Sequence, residues 1–228
     1  MKNLRVFFLL IFVIGLYAQQ VNPDEVLDRV KAKLNLVNDY KVYATVKVDV
    51  NFLKVPDSKV TIFFKKPDKV KMESDGFALL PRQSFNFSPA MLLKDDYTAV
   101  YAKEDTVDGS AVHLIKILPM SDSTDIILSN LWIDKNENIV RKIETSTKKT
   151  GTVTINLKYD DQIKLALPSE LKISFNIDGI DLPAEMNTQE GSNNKSKKNT
   201  KMSGTVTITY TNYIVNKGID DKIFEEEK

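Results

Sequence analysis

The stretch Val42-Tyr43-Ala44-Thr45-Val46-Lys47-Val48-Asp49-Val50-Asn51-Phe52 sets apolar residues at every even position against mostly polar ones at the odd positions. Successive side chains of a strand point to opposite faces, so this is a long strand with one dry face and one wet face. The same period of two returns at Val60, Ile62 and Phe64, at Val70 and Met72, at Tyr97, Ala99 and Tyr101, and at Val112 and Leu114 leading to Ile117. Residues 126–134 and 138–145 form a hairpin through the polar turn Lys135-Asn136-Glu137. Val153, Ile155, Leu157 and Tyr159 follow, then Leu171, Ile173, Phe175 and Ile177, and last Val206, Ile208 and Tyr210. Counted this way the chain has about ten strands. The fold class is mainly β, a single antiparallel curved sheet or half-open barrel.

Outside this rhythm lie four segments. Lys2 and Arg5 precede an apolar run that reaches the small residue Ala18 before Gln19 and Gln20, the layout of a secretory signal peptide over residues 1–18. The run from 6 to 18 is shorter than the roughly 20 residues of a spanning helix, so cleavage and export are expected rather than anchoring. Asn22-Pro23-Asp24-Glu25 is a helix start, with a cap, a proline at the first position and acids in the first turn. Val26, Leu27, Val30, Leu34 and Val37 then recur at helical spacing, predicting one amphipathic helix over 23–37. Residues 184–203 are polar and nearly free of large apolar groups, a flexible hairpin loop. Residues 76–93 are rich in large apolar groups without a clean period and end in a short helix at Pro89, a lid segment.

The 228 residues contain no cysteine, which excludes a disulfide framework, a thiolate metal site and a lipid-bearing cysteine beside the cleavage point. Removing residues 1–18 takes the formal charge from +1 to −1, so nothing steers the protein towards nucleic acid. Residues 19–228 read as one soluble, monomeric β-domain.

Chemistry is sparse. His113 is the one histidine, which excludes a histidine metal cluster or triad, and its strand position Val112-His113-Leu114 reads as a polar residue on the wetter face. The acid pairs Asp95-Asp96, Asp160-Asp161 and Asp220-Asp221 fall at turns or near the chain end, where carboxylates are simply well solvated. The eight glycines form no phosphate loop. No catalytic residue, metal or cofactor is expected.

What the sequence has in excess is apolar sheet surface. A dry face must be covered by helices, a second sheet or a ligand. One helix and one short turn cannot roof about ten strands, so the sheet curls on itself or holds a hydrophobic guest.

The order of elements resembles the LolA/LolB-type outer-membrane lipoprotein-sorting family over nearly the whole mature chain. Similar pieces are the first helix and long strand, then Phe63-Phe64-Lys65-Lys66-Pro67-Asp68-Lys69-Val70-Lys71-Met72-Glu73. Leu131-Trp132-Ile133-Asp134 with Ile139-Val140-Arg141-Lys142-Ile143-Glu144, and the ending Tyr213-Ile214-Val215-Asn216-Lys217-Gly218-Ile219-Asp220-Asp221-Lys222-Ile223-Phe224, are also similar. The family's aromatic, glycine-centred segment after the third strand is replaced by Gly76-Phe77-Ala78-Leu79-Leu80-Pro81-Arg82, with Arg82 the candidate for a lid-locking arginine. The resemblance implies a half-open barrel whose hollow takes lipoprotein acyl chains or other hydrophobic ligands. It implies a non-enzymatic periplasmic carrier delivering a lipid or lipidated protein towards the outer membrane, with membrane-bound donor and acceptor proteins as partners. The hollow is expected to be lined by Val46, Val48, Phe52, Phe64, Met72, Tyr101 and Trp132 from the strands, and by Phe77, Leu79, Leu80, Phe85, Met91 and Leu92 from the lid segment. The alternative is an envelope sensor or scaffold module of the same fold that binds a protein partner.

Overall fold

The computed structural model describes residues 21–50, 53–54, 56–74, 89–94, 96–121, 124–148, 151–177 and 202–225. The signal-peptide reading and Arg82 lie outside them, as does the loop reading except for Met202 and Ser203, which are strand.

Helix α1 (Pro23–Leu34) leads into β1 (Asp39–Val50). The two-residue β2 (Leu53–Lys54), β3 (Ser58–Lys65) and β4 (Lys69–Ser74) follow, and then the short helix α2 (Pro89–Leu92). The remaining strands are β5 (Tyr97–Val107), β6 (Ser110–Pro119), β7 (Ile126–Asp134), β8 (Val140–Thr147), β9 (Gly151–Lys158), β10 (Glu170–Ile177) and β11 (Met202–Val215). All pairings are antiparallel, in the order β4-β3-β1-β11-β10-β9-β8-β7-β6-β5, with β2 beside β1. Beyond β2, strands that are neighbours in sequence pair throughout except β4 with β5. β11 pairs with β1, joining the end of the chain to its beginning, whereas β4 and β5 stay apart. The sheet is therefore wound but not closed into a barrel, with its seam between β4 and β5.

The even-numbered face of β1 is the dry one, and α1 packs on it. Asn22 caps the helix by accepting from the Asp24 amide at 3.0 Å, and Val26, Leu27 and Val30 are buried against the sheet. The helix stops at Leu34, three residues before the expected end, where Asn35 caps it through its N–H to the Lys31 carbonyl. Val37 is still buried, but as part of the connection to β1. Arg29 and Lys33 tie α1 across the inner face to the β7–β8 turn, through the Asn138 side chain and through Glu137.

Two buried carboxylates fix the strand ends near the helix. Asp39 accepts from the amides of Lys217 and Gly218 at 3.0 and 3.1 Å, while the Asn216 side chain accepts from the Asn38 amide and donates to the Leu36 carbonyl. Together they staple the α1–β1 connection to the end of β11. Asp134 accepts from the amides of Asn136 and Glu137 and pairs with Arg141 at 2.6 Å, closing the β7–β8 turn. Burial alone would raise the Asp134 carboxyl. The amide of Glu137, Arg141 and the amide of Asn136 outweigh it and hold the group below the usual carboxylate range.

A carboxylate depressed in the folded state adds stability above its unfolded value, and that stability is lost as pH falls through the folded one. Removing it leaves Arg141 without its partner, so D134A is expected to lose about 3 kcal/mol near neutral pH. The gap from the unaltered protein should shrink below about pH 4. Urea unfolding at both pH values measures this.

Candidate functional site

The inner face can be followed row by row across the sheet, because the register is continuous from β1 through β9. The row Val46, Ile208, Leu171 and Leu157 is buried throughout. One step further from the α1–β1 connection come Val48, Val206, Ile173 and Ile155, and Val48 is already half-exposed. In the next row Val50, Gly204, Phe175 and Val153 are all half-exposed, joined on β8 by Thr145. Burial thus falls away along the same apolar face, from a sealed proximal end to a distal end where hydrocarbon meets solvent among the described residues.

Local geometry shapes this distal row. A Cβ on Gly204 would stand 2.6 Å from Val50 Cγ1, 2.9 Å from the Asp49 carbonyl oxygen and 3.0 Å from Phe175 Cζ. Glycine therefore lets the Phe175 ring lie close over the β11 backbone, which makes the ring part of the rim. Beyond it on β7 and β8, Ser129 and Thr145 join hydroxyls at 2.9 Å, the one side chain to side chain hydrogen bond among the described inner-face residues of this row.

The seam is bridged by α2. Leu92 and Leu93 pack into the main core, Lys94 pairs with Asp68 on the β3–β4 turn at 3.5 Å, and the chain enters β5 at Tyr97. Met72 of the edge strand β4 packs on the same core.

The proximal end is closed by aromatic rings. Tyr40 stacks on Phe64 with centroids 5.1 Å apart and meets Tyr213 edge-on, and Tyr213 lies beside Tyr210. Tyr210 and Tyr213 are three residues apart and would face opposite ways in a regular strand. A register shift opposite Lys41 and Tyr43, with Asn212 at φ 54°, turns both inward. Tyr213 donates to the Pro168 carbonyl and Tyr159 to the Val140 carbonyl. Burial pushes the Tyr40 hydroxyl up to about 12 and raises those of Tyr159, Tyr210 and Tyr213 as well, so this plug stays uncharged.

Of the expected lining residues, Val46, Val48, Met72, Leu92 and Tyr101 are brought to the inner face or packed on its core. Val46 is sealed in it, at 1 % exposed. Phe64 faces inward too, but at the closed end, in the tyrosine plug. Trp132 is a correction. It lies one residue from Leu131 and Ile133, both inner-face residues, and so faces outward with Val112, Leu114 and Val107. Its indole N–H donates to Asp105 at 3.1 Å and the Lys142 ammonium lies 4.3 Å over its ring. Phe52, Phe77, Leu79, Leu80 and Phe85 lie outside the described residues; Met91 belongs to α2, but its side chain lies outside them. Val50, Val153 and Phe175, which form the half-exposed row, were absent from the expected set. Their signal was the register with β1, which the sequence does not print.

His113 is a second correction. It pairs with Ile133 and shares the parity of Ile115, which places it on the inner face, its ring 5.7 Å from that of Tyr101. Its Nδ1 is buried without a hydrogen-bond partner among the described residues. Burial, then the positive charges of Lys135 and Arg29, lower its pKa, against the opposing pull of Glu104. Asp95 lies outside the described residues; of the others, Asp220 caps a turn of 3-10 helix (Asp221–Phe224) and Asp221 pairs with Lys65 and Lys69. Among the described residues no group of three or more acidic or imidazole side chains is placed to hold a metal, and no helix is long and apolar enough to cross a membrane.

This wound, open sheet matches solved structures along almost its full length. A putative outer membrane lipoprotein-sorting protein domain from Vibrio parahaemolyticus superposes with a TM-score of 0.59 at 12% identity, over 89% of this chain and 97% of that one. The protein has a LolA-type fold. A DUF1329 family protein from Desulfovibrio piger gives 0.56 at 12% identity, over 90% and 98% of the two chains. A LolA superfamily protein from Nitrosomonas europaea gives 0.54 at 10% identity, over 90% and 98%. No protein-family model matches the sequence, and no curated protein matches it. The LolA-type fold is thus shared at the level of backbone, at 10–12% sequence identity.

Two outcomes are expected. G204A forces Phe175 or the β1 backbone aside, so it should cost about 1–3 kcal/mol in urea unfolding and shift the Phe175 ring resonances. A histidine depressed in the folded state costs stability as pH falls below its unfolded value, so between about pH 7 and 5 the unaltered protein should lose stability that H113N keeps.

Proposed function

We propose that the protein is a non-catalytic carrier of hydrophobic ligands, lipoprotein acyl chains or other lipids, which it holds against the distal half of its inner face. The observation that supports this most is the fall in burial from Val46 through Val48 to Val50, repeated at Phe175 and Val153 on neighbouring strands. An apolar row left half in solvent is costly, and a hydrocarbon chain laid along it removes that cost. A sixteen-carbon chain would contribute up to roughly 13 kcal/mol at ~0.8 per methylene, before ordering costs. Such binding needs no directional contacts, which suits a distal row whose described hydroxyls, Ser129 and Thr145, satisfy each other.

The LolA-type fold supports the same class, since the Vibrio parahaemolyticus domain is described as lipoprotein-sorting. On this reading residues 1–18 direct export to the periplasm, residues 76–93 are a lid over the seam, and the cargo is delivered towards the outer membrane as the monomer meets membrane-bound donor and acceptor proteins. Release requires only a shift of a few kcal/mol between lid states.

The test is uptake of a fluorescent fatty acyl probe. The unaltered protein should bind it, and V48K and F175D should each weaken binding at least tenfold, because each places a charge where the chain would lie. Uptake unaffected by either substitution, or none at all, contradicts the reading. Recovery of one stable protein partner and no lipid would favour the scaffold alternative instead.

A further inference from the structure

The outer face of the sheet, opposite the acyl-binding side, is not uniform. Across β3, β1, β11 and β10 it is exposed and basic. Lys47 and Lys172 flank Thr207 in one register row, and Lys59 stands diagonally across from Lys47, opposite Thr45. All three lysines are exposed, and none has a carboxylate within ion-pair distance among the described residues. Two further lysines extend the patch. The Lys41 ammonium rests over the rings of Tyr43 and Phe63, and Lys71 of β4 is opposite Phe63. The carboxylates on this face among the described residues are Asp49, Glu73, which pairs with Lys71 at 3.5 Å, and Glu170 at the β10 margin, which pairs with Lys158 of β9 at 2.9 Å. Five lysines against three acids, two of those acids already paired, leave the face positive among the described residues, on a chain whose overall charge is close to zero.

Two exposed apolar side chains sit in the same patch, Tyr43 at 42 % and Ile214 at 44 %, with Ile214 opposite Lys41 and Tyr43 opposite Thr61. The remaining positions are short hydroxyls, Thr45, Thr205, Thr207, Thr209 and Thr211, which keep the surface low. An exposed aromatic and an aliphatic ringed by lysines with long apolar stems is the composition that settles at a lipid–water interface.

We propose that this face, centred on Lys47, Lys59 and Lys172, is a docking surface for an anionic lipid bilayer. Charge complementarity selects the occupant: each lysine near an anionic surface adds about fivefold to partition, and Tyr43 and Ile214 supply the apolar contact that a soluble acidic ligand would not need. The inference stands apart from the carrier reading, because it concerns the opposite side of the sheet.

The experiment is flotation with vesicles of phosphatidylcholine alone and with an equimolar mixture of phosphatidylcholine and phosphatidylglycerol. The unaltered protein should float with the mixed vesicles and much less with the neutral ones, and added salt should weaken it. The triple variant K47E/K59E/K172E, in the same chain so that all other segments contribute equally, should lose binding on the order of a hundredfold. K116E, on the outer face of β6, should leave it unchanged, and equal thermal melts would show that both variants fold. Equal binding to the two vesicle types, or a triple variant that floats as well as the unaltered chain, overturns the proposal. So does binding to a soluble acidic protein with none to vesicles.

Discussion

The constraint from which the structure follows is a mismatch of areas. One face of a ten-strand path is apolar, and among the described residues the helices available to cover it have twelve and four residues. Apolar surface is stable only when removed from water. Curling the sheet lets opposite strands cover one another at the proximal end, where α1 and the tyrosine plug complete the seal. Neither reaches the distal row, and there the same face ends half in solvent.

The seam follows from topology. Hairpin connections make β5 to β11 and β3 with β4 spatial neighbours in sequence order, and the pairing of β11 with β1 wraps the two ends of the sheet together. Asp39 and Asn216 hold that junction with hydrogen bonds to main-chain groups. The open side falls between β4 and β5, where the chain leaves the sheet and returns through α2.

Much of the fold was readable because the period of two is a direct image of strand geometry. It located every strand from β1 to β11 except the two-residue β2, and the dry face of β1, and the capping chemistry at Asn22 located the start of α1. Parity also shows where the reading failed. Trp132 was counted as lining although its neighbours Leu131 and Ile133 already occupied the inner face, and size had been allowed to outweigh alternation. His113 was assigned to the wetter face because it is polar, yet its pairing with Ile133 sets it inside. The inward turn of both Tyr210 and Tyr213 depends on a register shift at Asn212 that no local pattern announces. Phe175 and Val153 become rim residues only through their register across two intervening pairings to Val50, a long-range property that one strand's sequence does not carry.

The central claim is that the distal half of the inner face exists to be covered by a guest. A native mass spectrum of the protein taken from its own host under mild conditions tests it most directly. The account predicts a population heavier than the polypeptide by the mass of a lipid or an acylated protein, collapsing to the bare chain on activation. A spectrum showing only the bare polypeptide, from a host in which the protein is folded and abundant, would contradict it.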